Sequence, residues 1–133
     1  MMTVLDTNTI LRCILQDDEK AAAIVDERMS RDECLIPPEV VAEIVFVLLK
    51  VYRLDRKEIE QSVSTILRHK NVRVPQKGVV ETALRYFGET NLDFVDCLMI
   101  GYAFVDGHRI FTFDKKLNKI LSSLYAPTPD CPH

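Results

Sequence analysis

No stretch of this chain is apolar over the ~20 residues that a membrane-spanning helix needs. The longest apolar run, residues 40–49 (VVAEIVFVLL), is interrupted by Glu43, so no membrane association is expected. The N-terminus has no basic segment followed by an apolar one. No secretion signal is therefore expected, and the cytoplasm is the expected compartment. The four cysteines, Cys13, Cys34, Cys97 and Cys131, form no Cys-x-x-Cys pair. Three sit in apolar stretches, where a free cysteine acts as a small hydrophobe, which argues against a disulfide framework or a zinc site. His69, His108 and His133 also lack ligand spacing and read as surface residues. Basic charge is not in excess either. Seventeen Lys and Arg against twenty Asp and Glu leave a net charge of −3, which argues against a protein that coats nucleic acid. A nuclease is still compatible, because a carboxylate site loaded with metal reverses its local sign. Internal repeats, low-complexity segments and linkers are absent as well.

What is present is the composition of a soluble globular chain: 133 residues, 47% hydrophobic and 28% charged. That length suits one domain with a sizeable core. Hydrophobic periodicity alternates between short and long elements. A strand is expected at about 2–5, then helices at about 7–16 and 18–31. "CLIP" reads as a second strand, and Pro37 and Pro38 suit the start of the helix that follows, where a missing N–H is harmless. Asp55 caps the next helix, "RKEIEQSVSTILRH". "VRVP" is a further strand, followed by helices in "QKGVVETALRYFGE" and "DFVDCLMIGYAFVDG", the last stopped by Gly107. "RIFTF" reads as a strand closed by Asp114, "KKLNKIL" as a short basic helix, and "LYAP" as a last edge strand. The expected fold is α/β, a three-layer α/β/α sandwich around a mostly parallel sheet. Residues 1–126 form its single domain and 127–133 a frayed tail.

In such folds ligands bind beyond the carboxyl ends of the strands, where the following helices begin. Asp6 ends the first strand and Asp114 ends "RIFTF". Asp93 and Asp96 lie in the first turn of the helix leading into "RIFTF", three residues apart and so able to share a face. Glu43 lies about five residues into its helix, roughly 7–8 Å along the axis at 1.5 Å per residue, and its long side chain can reach back. Taken singly, each acid has an ordinary explanation. Asp6, Asp93 and Asp114 suit helix N-caps, Asp93 or Asp96 complements a helix dipole, and Glu39, Glu43 and Lys50 could form a solvated stripe. Phe46 and Val47 beside that stripe argue against it. Together the acids are harder to dismiss, since clustered carboxylates repel one another and buried unpaired charge is costly. No arginine or lysine is embedded in the sequence beside Asp6 or Asp96. A divalent cation would relieve the repulsion, and oxygen ligands without His or Cys favour Mg²⁺ or Mn²⁺. Such a site suits phosphodiester hydrolysis.

The stretches "VLDTN", "VVAEIVFVL", "LDFVDCLMIGYA" and "IFTFDKKL", in this order and spacing, resemble the PIN-domain ribonucleases, most closely the VapC-type toxins of toxin–antitoxin pairs. The resemblance implies a catalytic and metal-binding set of Asp6, Glu43, Asp96 and Asp114. Asp93 corresponds to an accessory acid, and Asn8 and Thr112 to supporting polar positions. It further implies a Mg²⁺- or Mn²⁺-dependent endoribonuclease acting on an RNA substrate, a cognate antitoxin and a homodimer. Lys115 and Lys119, four apart on the basic helix after Asp114, are candidate contacts for RNA phosphates. Three other readings stand beside this one: an RNA-processing nuclease of the same family that is not a toxin, a non-catalytic PIN-like binding scaffold, and a phosphatase of the haloacid dehalogenase type. For the last, "DTNT" is a loose match in which Asn8 replaces the expected second acid.

Overall fold

A computed structural model describes residues 2–124, and its chain divides after Lys77 into two compact units. The first unit is built by alternation. Strand β1 (Met2–Val4) leads into helices α1 (Thr7–Leu15) and α2 (Glu19–Arg31). Strand β2 (Glu33–Leu35) is followed by α3 (Pro38–Lys50) and α4 (Arg56–Leu67), and β3 (Val72–Arg73) closes the unit. The strands form one parallel sheet in the order β1-β2-β3, with Thr3 opposite Cys34 and Cys34 opposite Val72. Parallel strands need crossover helices, and the helical pattern between them supplies these. The fold is α/β with a parallel sheet, as the alternation predicts. Its core includes Leu5, Ile10, Ile36, Val41, Ile44, Leu48, Ile59 and Leu67, all buried.

Local chemistry sets the element ends. The carboxylates of Asp6, Asp18 and Asp55 accept hydrogen bonds from the Thr9, Ala21 and Lys57 N–H groups at 2.9, 3.1 and 3.0 Å, capping α1, α2 and α4. Pro38 opens α3, where its missing N–H is harmless. Strand β3 is shorter than "VRVP" suggests: it ends at Arg73, and Pro75 has no N–H with which to extend a ladder.

The second unit is helical over its described residues: α5 (Lys77–Glu89, starting at the boundary), α6 (Phe94–Asp106) and α7 (Lys115–Leu124). Phe87 and Phe94 meet edge to face at 6.1 Å. Gly107 ends α6 at φ 69°, the left-handed conformation that glycine adopts without strain. The expected strand "RIFTF" is not one: residues 107–114 have no regular structure. Apolar alternation becomes a strand only when a neighbouring strand pairs with its backbone. Here the alternating Phe111 and Phe113 stand 88% and 89% exposed, in contact with each other edge to face at 5.4 Å. Of "LYAP", only Leu124 is described, as the end of α7. The remainder, with the tail at 127–133, lies outside the described residues.

The face of α3 bearing Glu39, Glu43 and Lys50 is exposed, and Phe46 on it is 61% exposed. The expectation that Phe46 keeps this face from solvent is therefore corrected. Val41, Ile44, Val45 and Leu48 on the other side already supply the helix's buried face.

Candidate functional site

In the first unit, the carboxyl end of β1 delivers the chain into α1 through Leu5 and Asp6. Leu5 anchors the turn, its side chain buried and its N–H bonded to the Leu35 carbonyl at 2.9 Å. Asp6 is therefore held at the sheet edge with an exposed carboxylate. Hydrogen bonds from the Thr9 hydroxyl and the Thr9 N–H hold that carboxyl below the ordinary carboxylate range. The cap role proposed for Asp6 is real, and it also fixes the carboxylate in place. Asn8 is exposed in the first turn of α1. Glu43 does reach back from α3, as expected. Its Oε2 accepts a 3.0 Å hydrogen bond from the hydroxyl of Thr7, the residue next to Asp6. One end of this unit thus brings together Asp6, Thr7 and Glu43.

The second unit groups the remaining acids. Asp93 is the N-cap residue of α6, but its side chain makes no capping hydrogen bond. Asp96 lies in the first turn of the same helix and is half-buried. Burial pushes its carboxyl up from the ordinary range, and the nearby charges of Asp114 and Asp93 push it further. Asp114 is exposed and caps α7, accepting from the Leu117 N–H at 2.7 Å. Thr112 supports it, its hydroxyl accepting from the Asp114 N–H at 3.1 Å. Asn118 in turn donates from Nδ2 to the Thr112 carbonyl at 2.8 Å. Lys115, Lys116 and Lys119 are exposed on α7.

The three acids of the second unit are close enough for their charges to couple, and only oxygen donors are on offer. Among the described residues, however, no group of three or more His, Cys, Asp or Glu stands ready to hold a metal ion. The donor chemistry fits a hard divalent cation, which would offset both the burial of the Asp96 charge and the added repulsion from Asp114 and Asp93. Cys13 and Cys34 are free thiols, and Cys34 and Cys97 are buried. His69 accepts at Nδ1 from the Asn71 N–H, and His108 lies exposed 4.0 Å from Asp106. Two polar residues go unnoticed in the sequence. Thr7 follows Asp6 directly, but nothing local links it to a glutamate 36 residues away. Asn118 lies six residues beyond Thr112, with its amide turned back on the turn that carries Asp114.

The chain is similar to known proteins over most of its length. The family described as PIN domain matches residues 3–121. A relative described as a VapC ribonuclease, from Aquifex aeolicus (strain VF5), is 30% identical over 101 residues, which cover 73% of this chain and 75% of the relative. No solved structure matches. With a family match over most of its length and a VapC-type relative over three quarters of it, this chain belongs to the PIN-domain family, on its VapC-like side.

Proposed function

We propose that the protein is a metal-dependent endoribonuclease, the toxin of a toxin–antitoxin pair. The observation that carries this reading is the 30% identity, over three quarters of each chain, to a relative described as a VapC ribonuclease. The acids at Asp6, Glu43, Asp96 and Asp114 support it, being oxygen donors of the type that holds a hard divalent cation for phosphodiester cleavage.

In this reading the acids that the family resemblance picks out, Asp6, Glu43, Asp96 and Asp114, would hold Mg²⁺ or Mn²⁺, with Asp93 as an accessory charge. When bound, the cation makes a water more acidic and offsets charge on the phosphate and the leaving oxygen. Asp6 and Asp96 bind it most directly. Asp6 comes to the task pre-positioned by its cap hydrogen bond, and Asp96 has the most to gain from a counter-charge. Asp114 completes the set, braced by Thr112. Glu43 would orient the attacking water. Lys115 and Lys119 bind RNA phosphates without taking part in the chemistry.

The reading extends to a soluble cytoplasmic protein that folds as one domain, forms a homodimer and is held by a cognate antitoxin. The exposed apolar residues Phe46, Val51 and Tyr52 at the end of α3 support a protein partner there. The decisive measurement is cleavage of RNA with and without Mg²⁺ or Mn²⁺, on protein freed of any co-purifying partner. Wild type should cleave only with metal, while Asp6→Asn and Asp96→Asn should be inactive yet folded. Full activity in either variant would overturn the assignment of that residue.

A further inference from the structure

Glu43 is an unusual choice for a precisely placed carboxylate. It projects from the middle of a helix on a flexible three-torsion side chain, and it is exposed to solvent. An exposed glutamate of this kind exchanges freely among rotamers. Here one of its oxygens is tied to the Thr7 hydroxyl at 3.0 Å, across 36 residues of sequence. Thr7 is a stiff anchor for three reasons. It is β-branched, so its χ1 is restricted. It is the first residue of α1 and is half-buried. Its neighbour Asp6 caps that helix through the Thr9 N–H, which fixes the local backbone. The donor is neutral and the acceptor is charged, the stronger class of hydrogen bond.

We infer that Thr7 is a positioning residue for Glu43. Its hydroxyl holds that carboxylate beside Asp6 at the carboxyl end of β1, so that both are in place before a cation or substrate arrives. The inference rests on the nuclease reading of Glu43, and it goes beyond that reading by assigning a role to a residue with no ionisable group. A hydroxyl serves better here than a second base or a lysine. It orients the glutamate without neutralising its charge, so the carboxylate keeps its pull on a cation or a water.

The test uses the full chain with Thr7→Val, which keeps the shape and removes the hydroxyl, and Thr7→Ser, which keeps the hydroxyl. Glu43→Ala and the double variant Thr7→Val/Glu43→Ala complete a cycle. Two readouts are compared, Mn²⁺ affinity by calorimetry and RNA cleavage resolved into kcat and KM. Thr7→Val should weaken Mn²⁺ binding and lower kcat about tenfold, the scale of one lost hydrogen bond to a charged group, with KM unchanged. Thr7→Ser should stay within about twofold of wild type, and Thr7→Val should add nothing once Glu43 is Ala, which removes the acceptor. Wild-type behaviour of Thr7→Val, equal damage from Thr7→Ser, or additive losses in the cycle would each overturn the inference. If Thr7→Val does not fold, Thr7→Ala takes its place in the cycle. Intact Mn²⁺ coupling without RNA cleavage would sink the nuclease reading and leave Thr7 in place. Metal-dependent cleavage indifferent to Thr7 would do the reverse, and a wild type that binds no Mn²⁺ would overturn both.

Discussion

Asp6 and Asp96 pull stability in opposite directions, although sequence reasoning treats them as equals. The lowered carboxyl of Asp6 contributes stability that is present above the ordinary carboxylate range and lost as pH falls through its lower folded value. The raised carboxyl of Asp96 works the other way. Between its unfolded and folded values the native state holds the extra proton, so stability falls as pH rises through that window and stays lower at neutral pH. Without metal at pH 7, Asp96→Asn should therefore melt above wild type, while Asp6→Asn should melt at or slightly below it. Melting curves at pH 7 and pH 4 check this, and the gain from Asp96→Asn should shrink at the lower pH. The thiols yield a second expectation. Burial and the Asp26 carboxylate, 3.5 Å away, push the Cys13 thiol up to about 11, and Cys34 and Cys97 are fully buried. The thiolate is the reactive form. Iodoacetamide at pH 7.5 should leave all three unmodified in peptide maps until denaturant is added.

Helix α6 carries Asp96, and its seat against α5 depends on one glycine. A Cβ at Gly101 would lie 2.6 Å from the Val79 carbonyl oxygen and 2.9 Å from a Val79 side-chain carbon. Neither the backbone atom nor a packed valine gives way cheaply. Gly101→Ala should destabilise the protein by about 1–3 kcal/mol despite alanine's better helix propensity, as overpacking does elsewhere. Chemical denaturation should show a lower midpoint with an unchanged slope. Gly78→Ala provides the contrast, since its nearest neighbour is a methyl of the exposed Val105 at 3.3 Å. Helix α7 is similarly specified by its own first turn, in which Asp114 caps it, Thr112 supports Asp114 and Asn118 supports Thr112.

Over the molecule as a whole, a net charge of −3 sits beside an exposed basic helix start at Lys115, Lys116 and Lys119. An acidic protein that binds RNA needs its few cations where the phosphates lie, and each phosphate neutralised adds to the salt dependence of binding. Lys115→Ala with Lys119→Ala should raise KM and flatten its dependence on salt, with little change in kcat. Steady-state cleavage at several salt concentrations measures both. An unchanged KM and salt slope would mean that these lysines only solvate the end of α7.

Element order and most element ends were legible in the sequence because their causes are local. Asp6 and Asp55 cap helices within three residues of themselves, Pro38 suits a helix start, and Gly107 supplies a left-handed stop. Asp6 and Glu43 follow chain order in a parallel α/β fold, at the end of β1 and early in α3, whereas Asp114, expected to end a strand, stands instead at the start of α7. Three features departed from that local reading. Alternation in "RIFTF" specifies which side chains share a face, but a strand also requires a neighbour's backbone, and residues 109–113 form none. Phe46 reads as apolar and therefore inward, yet Val41, Ile44, Val45 and Leu48 already occupy the buried face of α3 and leave it outside. The hydrogen bond from Thr7 to Glu43 spans 36 residues and exists only because packing sets α1 against α3. Short-range propensity and periodicity act within a turn or two of helix, whereas the choice of which side chains meet is made by the packed chain.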